Sequence, residues 1–187
     1  MQFDKYTEKS RAYIQHAQSI AAENNNQYLT QAHLLKAMFN EKSDLPATLI
    51  LEAGGNLNAG LKELGLIFSK LPKVDGAGSN QTIFSLETKE LLLQAEKLAK
   101  RNEDTYVSTE VLLLSFLLKP DISIKRIFEK FDVIPVQLEE VIKQKRKGRK
   151  AISSRSEATY DALSKYARDL TEEAAEGKID PVVGRDD

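Results

Sequence analysis

Tyr28-Leu29-Thr30-Gln31-Ala32-His33-Leu34-Leu35 and Tyr106-Val107-Ser108-Thr109-Glu110-Val111-Leu112-Leu113 follow one plan. Each opens on a tyrosine, places a hydroxyl third and closes on Leu-Leu. Residue 28 stands against residue 106, an offset of 78. The same offset sets Tyr6-Thr7 over Phe84-Ser85, Ile14 over Leu92, Ala17 over Ala95 and Ala21 over Ala99. With one residue of slippage, Ile50-Leu51-Glu52 falls on Ile127-Phe128-Glu129 and Leu61 on Leu138. Recurrence of aromatic, cap, apolar and small positions together reads as duplication.

Both halves carry helical spacing. Ile14, Ala17, Ile20 and Ala21 recur at three-to-four residue intervals on one face. Thr7 stands as N-cap with Tyr6 before it, and Asn24-Asn25-Asn26 ends the helix. Thr30 caps a second helix with core residues Leu34, Leu35 and Met38. Asp44 and Pro46 suit the start of a third, which Gly54-Gly55 ends. A fourth carries Leu57, Leu61, Leu64 and Phe68. In the second half Ser85 caps a helix holding Leu91, Leu92, Ala95, Leu98 and Ala99, from which Leu93 turns outward. Ser108 caps the next, apolar on nearly every side over residues 111–118 and therefore the most buried. Ser123 starts a short helix ending at Phe131, and Pro135 opens the last of the repeat. Strand signals are nearly absent. The expected fold is all-α: two pseudo-symmetric four-helix repeats, about 1–69 and 84–146, joined by a Gly/Pro/Ser-bearing spacer over 70–83. Residues 147–187 read as a linker, a helix beginning near Ser156 with Ala162, Leu163, Tyr166 and Leu170 as its stripe, a stop at Gly177, and an extended tail. That tail has no capping or core logic of its own, as in a piece of a larger protein.

Composition narrows the chemistry. The 187 residues hold 27 Lys and Arg against 28 Asp and Glu, a balance unlike that of a dedicated nucleic-acid binder. There is no cysteine, so disulfides, thiol nucleophiles and thiolate zinc sites are excluded. No apolar run reaches the ~20 residues of a bilayer span. No glycine is followed by Lys-Ser or Lys-Thr, so the phosphate cradle of a nucleotide hydrolase is missing. Of the two histidines, His33 is expected to bond back to the Thr30 cap and His16 to lie on a helix surface. The run Lys143-Gln144-Lys145-Arg146-Lys147-Gly148-Arg149-Lys150 lacks aromatics for base stacking and reads as a solvated helix end and linker. These residues give no catalytic, cofactor or metal site.

The duplicated unit, with its aromatic–x–Thr/Ser–x–x–x–Leu–Leu core, resembles the amino-terminal domain of Clp-type protein-remodelling ATPases. The stretch Tyr166-Ala167-Arg168-Asp169-Leu170-Thr171-Glu172-Glu173-Ala174-Ala175-Glu176-Gly177-Lys178-Ile179-Asp180-Pro181-Val182-Val183-Gly184-Arg185-Asp186 is similar to the approach to that family's first ATPase module. Asn26-Gln27-Tyr28, Leu71-Pro72-Lys73-Val74-Asp75-Gly76 and Tyr160-Asp161-Ala162-Leu163 lean toward ClpB-type disaggregases over the ClpA and ClpC types. The resemblance implies a cytoplasmic, non-catalytic domain, monomeric alone, that captures unfolded or aggregated polypeptides. It implies a homohexameric parent that uses ATP and magnesium, has a coiled coil and works with a DnaK-type chaperone. Neither nucleic acid nor membrane is implied as a partner. The family's client contacts map onto Thr7, Asp104 and Glu110 and onto apolar Leu92, Leu98 and Val111, where Val111 is smaller than the leucine expected. Thr7 is equally an N-cap, Asp104 a turn residue, and Glu110 a first-turn anion favoured by the helix dipole. An apolar groove rimmed by carboxylates would favour clients with cationic flanks. Docking of a folded adaptor protein is the alternative.

Overall fold

The computed structural model describes residues 2–75 and 82–158. Thr7, extended at φ −63° and ψ 161°, accepts the Ser10 amide and starts α1 (Glu8–Glu23). Asn25, at φ 56°, turns the chain out of α1 into β1 (Tyr28–Leu29). Thr30 begins α2 (Gln31–Met38), and Asp44, with Pro46 in the first turn, begins α3 (Leu45–Glu52). Gly54 adopts φ +85°, the left-handed exit that a side chain disfavours, and Asn56 then caps α4 (Leu57–Ser69). The second repeat retraces this course. β2 (Ile83–Phe84) leads to Ser85, which caps α5 (Leu86–Arg101), and Ser108 precedes α6 (Thr109–Leu118). α7 (Ile122–Phe131) and α8 (Pro135–Arg146) complete it.

One boundary differs from expectation. α7 starts at Ile122 and not at Ser123, because the Asp121 carboxylate accepts the Ile124 amide at 2.9 Å. Aspartate there satisfies a first-turn amide that would otherwise lack a partner. Two short parallel strands also appear, with Tyr28 against Ile83 and Leu29 against Phe84.

These pairings show how the halves interlock. Leu29 lies beside Phe84, and an isolated bridge joins Tyr6 to Val107. Adding 78 to residues 6 and 29 gives 84 and 107, so the two pairings exchange under the repeat. Ser85 donates its amide to Leu29 O at 3.0 Å, and Thr7, its counterpart, donates to Val107 O at 3.1 Å. Helices exchange likewise: α4 packs on α7, and α8 on α3. Neither repeat closes a core alone; one continuous cluster runs from Tyr6 and Leu35 through Leu112 and Phe116 to Phe131 and Leu138. Gln31 is buried at this junction, donating to Glu87 O and Lys119 O while its oxygen accepts the Asp121 amide, each at 2.9 Å.

Candidate functional site

The repeats differ most at the turn entering their second helix. In the first, Asn26 is buried and neutral. Its Oδ1 faces His33 Nε2 at 2.8 Å, and its amide nitrogen donates to Pro72 O at 2.9 Å. The Thr30 amide donates to His33 Nδ1 at 2.9 Å, so the proton of the neutral ring is on Nε2. The expected back-bond from His33 to its cap is therefore present, and burial lowers the His33 pKa to about 4.

In the second repeat the position of Asn26 is taken by Asp104 and that of Ala32 by Glu110. Both carboxylates are buried against one cation. Arg146 donates from Nη1 to Asp104 Oδ1 at 2.8 Å, from Nε to Glu110 Oε2 at 2.7 Å and from Nη2 to Ser108 Oγ at 2.9 Å. Arg146 is only 7% exposed. This corrects the reading of residues 143–150 as wholly solvated. The run does end a helix, with Lys147 and Gly148 both at positive φ, but its fourth residue is an internal counter-ion. Burial, and the charge of Glu157, raise the Glu110 pKa against the pull of Arg146. Ser108 stands at the cap of α6, yet its hydroxyl serves Arg146 rather than an α6 amide.

That amide duty passes to a distant residue. Glu157 is 5% exposed, and its Oε2 accepts from the Thr109 amide at 2.8 Å, Thr109 Oγ1 at 2.9 Å and Thr7 Oγ1 at 2.5 Å. One carboxylate thus bridges the N-termini of α1 and α6, where both helix dipoles favour negative charge. The chain leading to it crosses the cleft, anchored by main-chain hydrogen bonds. Thr105 and Tyr106 each donate an amide to Ala151 O at 3.0 Å, Ala151 donates to Asp104 Oδ1 at 3.0 Å, and Glu8 donates to Ser154 O at 2.8 Å. Residues 156–158 then begin a helical turn, as expected near Ser156. The remainder of the expected stripe, Ala162, Leu163, Tyr166 and Leu170, lies outside the described residues, as do Gly177 and the tail.

The Clp repeat N-terminal domain family matches residues 5–131, which takes in both repeats as far as the end of α7. The chain belongs to that family. This Clp domain is 42% identical over all 187 residues to chaperone protein ClpB of Rhodopseudomonas palustris and 41% identical to that of Brucella suis. It spans about a fifth of those relatives, 21% of each. Among solved structures, the Hsp104 N-terminal domain of Candida albicans superposes at TM-score 0.71 with 21% identity, over 81% of this chain and 97% of that one. The N-domain of ClpV in complex with a VipB peptide superposes at 0.55 with 20% identity, over 68% and 79%. These two likenesses concern the fold.

Within the Clp domain, all six residues expected to contact clients have buried side chains. Leu92, Leu98 and Val111 belong to the core cluster. Thr7, Asp104 and Glu110 converge on the polar cleft through Glu157 and Arg146. The carboxylates therefore do not rim an open groove, because each has been drawn inward onto the Arg146 guanidinium. Leu93, by contrast, points out as expected, at 50% exposure. Sequence reasoning missed Arg146, Thr109, Ala151 and Glu157. A signal for Arg146 was available: Glu110 is the single charged residue between 109 and 118, and Leu138, Ile142 and Arg146 recur every four residues on α8. A buried anion on an apolar helix requires a cation on a facing one. Among the described residues no cluster of histidines or carboxylates could hold a metal ion. No described helix is long and apolar enough to cross a membrane.

Proposed function

We propose that this domain is the client-binding module of a ClpB-type disaggregase, non-catalytic in itself, taking up unfolded or aggregated polypeptide at the cleft built by Thr7, Asp104 and Glu110 over Leu92, Leu98 and Val111. The observation that carries the reading is the segment of the chain already held there. Four of its contacts use main-chain groups of residues 151 and 154, which every polypeptide has. A cleft that reads backbone is indifferent to most side chains, as a chaperone requires. The parent chain would supply ATP- and magnesium-dependent threading as a cytoplasmic homohexamer, with a DnaK-type partner. The peptide complex of the ClpV N-domain supports the idea that this fold can accept a peptide. Amide shift mapping with a reduced and alkylated, permanently unfolded protein tests it. Shifts are expected at Thr7, Asp104 and Glu110; a spectrum unchanged at saturating probe rejects the assignment.

Adaptor docking has one observation of its own. Leu86 and Ile122 are exposed at the starts of α5 and α7, where Gln31 ties Glu87 O and the Asp121 amide together. A pull-down under native conditions separates the readings: a single stoichiometric folded partner favours docking, a mixture of misfolded proteins favours capture.

A further inference from the structure

The cleft is already filled by the chain's own continuation. Its anchors are few and mostly polar. Ala151 and Glu157 are buried, but the span between them is largely in solvent, with Ile152 70% exposed. The ion pair of Arg155 with Glu8, at 2.6 Å, is exposed on both sides and adds little. A segment held by hydrogen bonds with little apolar burial opens at low free energy.

Its departure would uncover mostly donors. These are the Thr7 and Thr109 hydroxyls and the main-chain amides of Glu8, Thr105, Tyr106 and Thr109. The acceptor offered to the segment is Asp104 Oδ1, which Arg146 also engages. Because Arg146 stays on α8 when residues 151–157 leave, Asp104 and Glu110 remain hydrogen-bonded to its guanidinium, which offsets one of their two charges. The opened cleft then seeks carbonyl oxygens along its length and a carboxylate at the end between α1 and α6. This is the opposite of the cationic preference that two unpaired carboxylates would give.

We propose that residues 151–157 are a self-ligand, and that the polypeptides displacing them are extended segments carrying an acidic residue that takes the seat of Glu157. The proposal rests on the client-capture reading above and narrows it. Clients bind with an affinity reduced by the fraction of molecules whose cleft is closed. The chain thereby screens out segments that offer backbone alone.

The test compares the wild-type chain with Glu157→Gln, using unfolded alkylated lysozyme and two peptides spanning residues 148–158, one with the native glutamate and one with glutamine in its place. Glu157→Gln is expected to bind the unfolded protein on the order of tenfold more tightly, since a charged acceptor of three hydrogen bonds has been weakened. The glutamate peptide should shift the Thr109 and Glu8 amides of this variant and compete with the unfolded protein; the glutamine peptide should do neither. Equal affinity of both chains, or equal competition by both peptides, overturns the self-ligand while leaving client capture intact. Absence of binding by either chain rejects client capture, and displacement with it. A second variant guards against misfolding. With no native cysteine in the chain, Glu8→Cys with Ser154→Cys can lock the segment down. Oxidation should abolish binding and reduction restore it; binding insensitive to oxidation overturns the proposal.

Discussion

Replacing Arg146 by methionine isolates the central electrostatic feature of the domain. Methionine keeps much of the apolar stem, so the change removes charge and hydrogen bonds more than packing. Three donors are lost, to Glu110, Asp104 and Ser108. The two carboxylates stay buried, and their remaining oxygens, Asp104 Oδ2 and Glu110 Oε1, already have no hydrogen-bond partner among the described residues. Leaving a buried charge without its counter-ion destabilises by about 3–5 kcal/mol. Net stability for a domain of this kind is about 5–15 kcal/mol, so a large part is forfeited. With a urea slope of about 2 kcal/mol per molar, the unfolding midpoint should fall by roughly 2 M. Far-ultraviolet circular dichroism during urea titration reads this directly. The loss should shrink in acid. A carboxyl group whose folded pKa is raised favours its protonated form, so the stability it contributes is present at low pH and lost as pH rises. Adding Asp104→Asn and Glu110→Gln to the methionine variant should recover most of the loss, because no charge then lies stranded. The control is Lys150→Ala, whose 4.0 Å pair with Glu103 is exposed and contributes under about 1 kcal/mol. If Arg146→Met unfolds within about 1 kcal/mol of the wild type, like this control, the buried counter-ion argument is wrong.

Three further substitutions probe the core and the neutral twin of the site. A Cβ on Gly60 would land in the Phe131 ring, which Phe39 and Phe128 hold in place. Overpacking of about 1–3 kcal/mol should exceed the helix-propensity gain of up to about 1 kcal/mol in Gly60→Ala. Gly65→Ala, one and a half turns on with open space around it, should stabilise by about 0.5–1 kcal/mol in the same melt; the same sign for both would refute the packing. The lowered pKa of His33, about 4 against an ordinary 6.5, means that its neutral form supports the fold above pH 6.5 and that this support is lost as pH falls toward 4. Roughly 1–2 kcal/mol should disappear over that interval, after allowing for solvent screening. The pH profile of His33→Gln, subtracted from that of the wild type, should isolate the loss, and parallel profiles would show that the ring does not titrate there.

Much of the fold was legible because its signals are local. Thr7, Ser85 and Gly54 act within a turn of their own position, and a side chain's cap or left-handed φ needs no distant partner. The one misplaced start, Ser123 for Ile122, also turned on a local choice, between an aspartate and a serine two residues apart. The duplication likewise lies in the order of residues, and so the helical twins could be read before any coordinate. The site was half legible. Glu110 announced itself as a lone charge on an apolar helix, and Arg146 continues the Leu138–Ile142 spacing of α8, but the run 143–150 holds several other cations and only the folded structure shows which one pairs with the buried carboxylates.

By itself the sequence determined the helices, their caps and the twofold repetition, since these depend on contacts between residues a few places apart. The tertiary structure alone decided which repeat embraces which, why α4 meets α7 while α8 meets α3, and that Glu157 reaches back 150 residues to Thr7. Such pairings are set by which faces must be buried together and which charges must be neutralised once water is gone, and neither condition can be evaluated along the chain.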